Sequence, residues 1–191
     1  MLHMFESLTQ ENFSFLVSEY GFHLDNANTN SVHWSRGMYH IEMSYHRYEL
    51  DLYLYYDNNE YSPSYSLSEI QQLKQLVDIR DTSYIYMAST PERLSQGILE
   101  ISSLFRNICK KMDIFNKETF EMLAIIRRNY SEECAMKGRI SRFNVEEENI
   151  WKAKKYAELV ILYENNQDIL TNLQKKRLAY ATKQKKHLNE P

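Results

Sequence analysis

Two consecutive stretches of alternating side chains constrain this chain more than anything else in it. In residues 39–45, Tyr39, Ile41, Met43 and Tyr45 share one side, while His40, Glu42 and Ser44 share the other. In residues 48–56, Leu50, Leu52 and Leu54 line one side, opposite Glu49, Asp51, Tyr53 and Tyr55. A period of two is what a strand needs to present one apolar and one polar face. Val32 and Trp34, each flanked by polar residues, extend the pattern to a third strand. Arg36-Gly37 and His46-Arg47 stand where tight hairpin turns are expected. The reading is an antiparallel meander with one buried and one wet face.

Helical periods frame the meander. Phe13, Leu16, Val17 and Tyr20 predict a helix over residues 9–20, stopped by Gly21. The Asn-rich residues 25–31 read as a turn, and residues 57–64 as a loop. Ser66 with Glu69 three residues on is a capping-box pattern, and Ile70, Leu73, Leu76 and Val77 would follow it inward. Residues 82–87 read as a fourth strand. Thr90-Pro91-Glu92 opens a helix to about residue 112, with Gly97 as a close-packing point on its apolar stripe. Further helices are expected over 117–130, over 144–165 with Asn144 as cap and Glu147 in the box position, and over 167–180. The fold class is α+β: an N-terminal helix and a three- or four-stranded antiparallel sheet packed against a mostly helical C-terminal half. One domain is expected over 1–191, with 181–191 a frayed tail.

Charge divides the chain. Residues 1–90 hold 12 Asp/Glu against 4 Lys/Arg, and residues 91–191 hold 14 against 19. Ten of the 15 tyrosines fall between Tyr39 and Tyr86. An apolar fraction of 43% with 26% charged residues excludes a disordered chain. No basic segment followed by an apolar run opens the sequence, and aliphatic runs such as residues 159–162 are far short of a membrane span. A cytoplasmic protein with no membrane contact is therefore expected. Two cysteines, Cys109 and Cys134, make no disulfide framework and read as free thiols.

Catalytic signatures are missing. No G-x-S-x-G elbow, P-loop or G-x-G-x-x-G occurs. His40, Glu42 and His46, with His33 on the neighbouring strand, are the candidate metal ligands, because imidazole and carboxylate at period two suit Zn²⁺ or Fe²⁺. The plainer reading is the polar face of a sheet, and neither a cofactor nor an enzyme is expected. Lys152, Lys154 and Lys155 beside Tyr156, and six Lys/Arg in residues 175–187, form basic stretches. They read as solvated helix faces rather than as a nucleic-acid site.

The acidic, tyrosine-rich face remains. Tyrosine joins a large apolar ring to a hydrogen-bonding tip, which suits protein contact, and the acids favour a basic partner. Glu49, Asp51, Tyr53 and Tyr55, with Asp57, Glu60 and Tyr61 from the following loop, are the expected partner-binding residues. Whether this face is open or lies under a second helical layer is not decided by periodicity.

Residues 13–22, FSFLVSEYGF, lead into a polar turn and a meander with short charged hairpins. Over about residues 13–60 this resembles small bacterial immunity proteins encoded beside polymorphic or contact-dependent toxins. The resemblance implies a cytoplasmic protein that binds one cognate toxin and blocks it, with no catalytic residues to carry over. The alternatives are a helical regulatory or phage-defence adaptor acting as a homodimer, and a metal-dependent enzyme using the strand histidines.

Overall fold

The computed structural model describes residues 2–56, 63–73 and 86–188. It is an α+β chain built on an antiparallel sheet. Helices α1 (Leu2–Asn12) and α2 (Ser14–Tyr20) precede β1 (His23–Ala27), β2 (Ser31–Arg36), β3 (Tyr39–His46), β4 (Glu49–Tyr56) and β5 (Ser64–Ser66). Next come α3 (Leu67–Gln71), β6 (Tyr86–Met87), α4 (Pro91–Lys111), α5 (Lys117–Lys152), α6 (Tyr156–Glu164) and α7 (Asn172–Leu188). Strands β1 to β5 are neighbours in chain order, and β6 pairs with β4. The chain divides into two compact units, residues 1–128 and 129–191.

In the first unit the meander forms as the alternation predicts. Leu50, Leu52 and Leu54 are at most 1% exposed, and Val32, Trp34, Ile41 and Met43 join them on the same face. Phe5 and Phe13, with Leu94, Ile98, Ile101, Phe105 and Ile108 of α4, complete this core. Each such buried side chain contributes about 1.5–3 kcal/mol of transfer free energy. Tyr39 and Tyr45 also face inward: Tyr39 stacks on Phe120, and the Tyr45 hydroxyl donates to Ala88 O at 2.8 Å. Gly97 packs against the sheet so closely that a Cβ there would fall on the Tyr86 ring and within 2.7 Å of Leu50 Cδ1.

Several boundaries differ from expectation. Helix begins at Leu2 and breaks at Phe13, giving two helices in place of one over 9–20. Gly21 ends α2 in the left-handed conformation, φ 70°. Both hairpin turns fall one residue later than expected, at Gly37-Met38 and Arg47-Tyr48. Arg47 and Tyr48 both have positive φ, 49° and 72°, the geometry that matches the twist of the flanking strands. The expected turn over 25–31 and loop over 57–64 conceal two strands, β1 and the start of β5. The Ser66–Glu69 box forms, with the Ser66 amide donating to Glu69 Oε2 at 2.9 Å. Arg127 then grips Glu69 through Nε and Nη2, at 2.6 and 2.7 Å, and lies over Tyr65. Leu76, Val77 and most of the strand expected over 82–87 lie outside the described residues.

The second unit holds a separate core. Phe143, Leu159, Val160, Tyr163 and Ala181 are buried there. The expected helix over 144–165 is corrected: α5 runs unbroken to Lys152, and α6 is separate. Asn144 therefore caps nothing; it accepts a hydrogen bond from Gln174 Nε2 at 3.0 Å. Glu147, 5% exposed, accepts from Tyr163 Oη and Arg177 Nη1, both at 2.6 Å. The break is a left-handed C-terminal motif with Lys154 at φ 57°. Lys155 N–H donates to Ile150 O and Lys154 N–H to Trp151 O, which satisfies the last carbonyls. Helix α7 continues past the expected end at Tyr180 to Leu188, held by the fully buried Ala181.

Candidate functional site

The polar side chains of the meander form one continuous face. Register places His40 opposite Tyr55, Glu42 opposite Tyr53, Ser44 opposite Asp51 and His46 opposite Glu49. On the other side, His33 pairs with Glu42 and Ser35 with His40. Strand β1 adds His23 and Asp25 at the edge. Strand β4 alternates between buried leucines and part-exposed Asp51, Tyr53 and Tyr55. Within the first unit, α1, α2, α3, α4 and the start of α5 contribute their buried apolar residues to the core that holds the leucines.

The carboxylates on this face lack strong counter-charges. Among the described residues, no lysine or arginine pairs with Glu42, Glu49 or Asp51, and His33 Nε2 stands 3.9 Å from Glu42 Oε1. Burial, then the neighbouring Glu49, raises the Asp51 carboxyl above its ordinary range, with a hydrogen bond from Tyr53 pulling back. Burial and Asp51 in turn push the Tyr53 hydroxyl upward. Tyr55 is raised further, by burial and by the hydrogen bond it gives to Glu42. A face that makes Asp51 reluctant to ionise gains from an incoming cation.

Asp25, Asn26, His33, Trp34, His40, Glu42 and Tyr55 line a concavity on this face, about 340 Å³ in volume. Beside it, Ser35, His23 and Asp25 meet. Ser35 Oγ stands 2.9 Å from His23 Nε2 and donates to Asp25 Oδ1 at 2.8 Å. An acyl-transfer triad requires the imidazole to take the serine proton while the carboxylate holds the opposite ring nitrogen. Here the carboxylate takes the serine proton itself and reaches the same nitrogen, His23 Nε2, at 3.2 Å. The cluster ties β1 to β2 and does not activate Ser35.

No protein-family model, curated protein or solved structure matches this chain.

The metal-ligand candidates do not converge. His46 lies six residues along β3 from His40, about 20 Å at the rise of a strand, so one ion cannot bind both. Among the described residues no group of three His, Cys, Asp or Glu is placed to hold a metal. Cys109 is buried, and burial pushes its thiol up to about 12, which suppresses the reactive thiolate; Cys134 is exposed and free. No described helix is long and apolar enough to cross a membrane.

Glu49, Asp51, Tyr53 and Tyr55 thus stand together on the face the alternation assigned them, with Glu49 exposed and the other three part-exposed. Asp57, Glu60 and Tyr61 lie outside the described residues. Glu42, His33 and His40, weighed from sequence as metal candidates with the polar face of the sheet as the plainer reading, belong to the same face but were not among the expected partner-binding residues. Strand pairing was the signal that could have joined them to Tyr53 and Tyr55.

Proposed function

We propose that this protein is a non-enzymatic binding protein of immunity type that neutralises a cognate, basic protein toxin. The observation that carries the reading is the polar sheet face, where Glu42, Glu49 and Asp51 surround Tyr53 and Tyr55 without a lysine or arginine paired to them among the described residues. Rigid strands hold the aromatic rings, so little conformational freedom is lost when a partner covers them. Unpaired acids steer a basic partner toward the face and favour a fast encounter. The reading carries with it a bacterial, cytoplasmic protein that meets its toxin inside the cell.

Neutralisation is tested by co-expression with the partner. The wild-type chain should suppress the partner's toxicity, whereas Asp51→Lys combined with Tyr53→Ala should not, its circular dichroism remaining that of the wild type. Full protection by a folded double variant would remove this face from the account.

A further inference from the structure

Three aromatic rings from separate segments meet in the second unit. Tyr180 of α7 lies 5.8 Å from Trp151 at the end of α5 and 5.8 Å from Tyr156 at the start of α6, and Trp151 and Tyr156 are 6.2 Å apart. The cluster is not core: Tyr180 is 46% exposed, and Trp151 and Tyr156 are half-buried. Arg177, fixed by the buried Glu147, lies over one face of the Trp151 ring, 4.8 Å from its centre.

Exposed lysines flank the rings along the chain. Lys176 and Lys183 are exposed one turn either side of Tyr180 on the same face of α7, and Lys154 projects from the bend between Trp151 and Tyr156. Lys152 and Lys155 are held by Glu148 and Glu158 at 2.8 and 3.0 Å, but Lys154, Lys176 and Lys183 have no ion pair among the described residues. Lys154 is also in the left-handed conformation that glycine adopts at least cost.

We propose that this patch binds single-stranded nucleic acid, with bases stacking on Tyr180 and Trp151 and the backbone phosphates against Lys154, Lys176 and Lys183. Stacking on exposed rings requires unpaired bases, which favours a single strand over a duplex. The inference is independent of the sheet face and of the proposed toxin partner. It departs from the sequence reading because the meeting of Tyr180 with Trp151 is a tertiary contact.

The test is fluorescence titration of the full chain with a single-stranded oligothymidylate of ~12 nucleotides. Trp34 is 2% exposed, so a base stacking at the surface quenches Trp151 alone. Saturable quenching is expected, weakening about tenfold between about 50 and 200 mM salt. Tyr180→Ala should weaken binding by at least about fivefold, the loss of one stacked base. Lys154→Gly should weaken binding while raising Tm, which separates loss of a contact from loss of the fold. Absence of quenching, binding unchanged in Lys154→Gly, or an equal response to duplex DNA or polyglutamate would overturn the proposal.

Discussion

Tyr55 donates its hydroxyl to Glu42 along the diagonal between β4 and β3. The bond fixes the Tyr55 ring on the polar face and gives a carboxylate without a lysine or arginine partner among the described residues one firm donor. Replacing Tyr55 with Phe should cost about 1 kcal/mol, because Glu42 retains partial access to water in compensation. Urea denaturation of the variant against wild type measures it. No change would show that the bond adds nothing beyond the ring.

Gly97 is where helix α4 comes closest to the sheet. Alanine would ordinarily favour a helix by about 1 kcal/mol over glycine. Here its Cβ would fall on the Tyr86 ring and Leu50. Overpacking of this kind costs about 1–3 kcal/mol, so Gly97→Ala should lower Tm in a thermal melt. A rise in Tm would mean that α4 and β6 are not in tight contact.

The β3–β4 turn carries strain that can be removed. Tyr48 has φ 72° and its side chain is 54% exposed. Glycine adopts this backbone without the Cβ clash, while Ala88 N–H would still find the residue's carbonyl at 2.7 Å. Tyr48→Gly should stabilise the protein by about 0.5–1 kcal/mol in chemical denaturation.

Acid should release a specific contact. Burial acts to raise the Glu69 carboxyl, but hydrogen bonds from Arg127 and Ser66 outweigh it and hold the group below its ordinary 4.5. A carboxylate lowered in the folded state adds stability above its unfolded pKa and loses it as pH falls through the folded value. Denaturation midpoints measured from pH 6 down through about 4.5 and below should therefore decline. Glu69→Gln should start lower and decline less. A parallel decline in both would assign the acid sensitivity elsewhere.

The faces of the meander were legible because alternation survives an error in turn placement. Moving a two-residue turn by one position shifts the pairing sum by two and leaves every side chain on its face. It does change who meets whom. A turn at His46-Arg47 would set Glu42 opposite Asp51, two like charges; the observed turn sets Glu42 opposite Tyr53. That one step concealed the Glu42–Tyr55 pair. Strand β1 was hidden for another reason: four of its five residues are exposed at the sheet edge, so no apolar period marks it. The end of α5 was hidden because a lysine, not a glycine, takes the left-handed position. Glu147 had the right spacing for a cap, but tertiary contacts with Tyr163 and Arg177 claimed it first.

The central claim, that the polar sheet face binds a basic protein, is tested most directly by capture. Tagged wild-type chain and Asp51→Lys are passed through a host lysate at low and moderate salt, and the retained proteins are identified by mass spectrometry. The account predicts one basic protein at near-equal stoichiometry on the wild type, weakened by salt and lost from a folded Asp51→Lys. Equal capture by Asp51→Lys, an acidic partner, or recovery of the chain with no partner would contradict it.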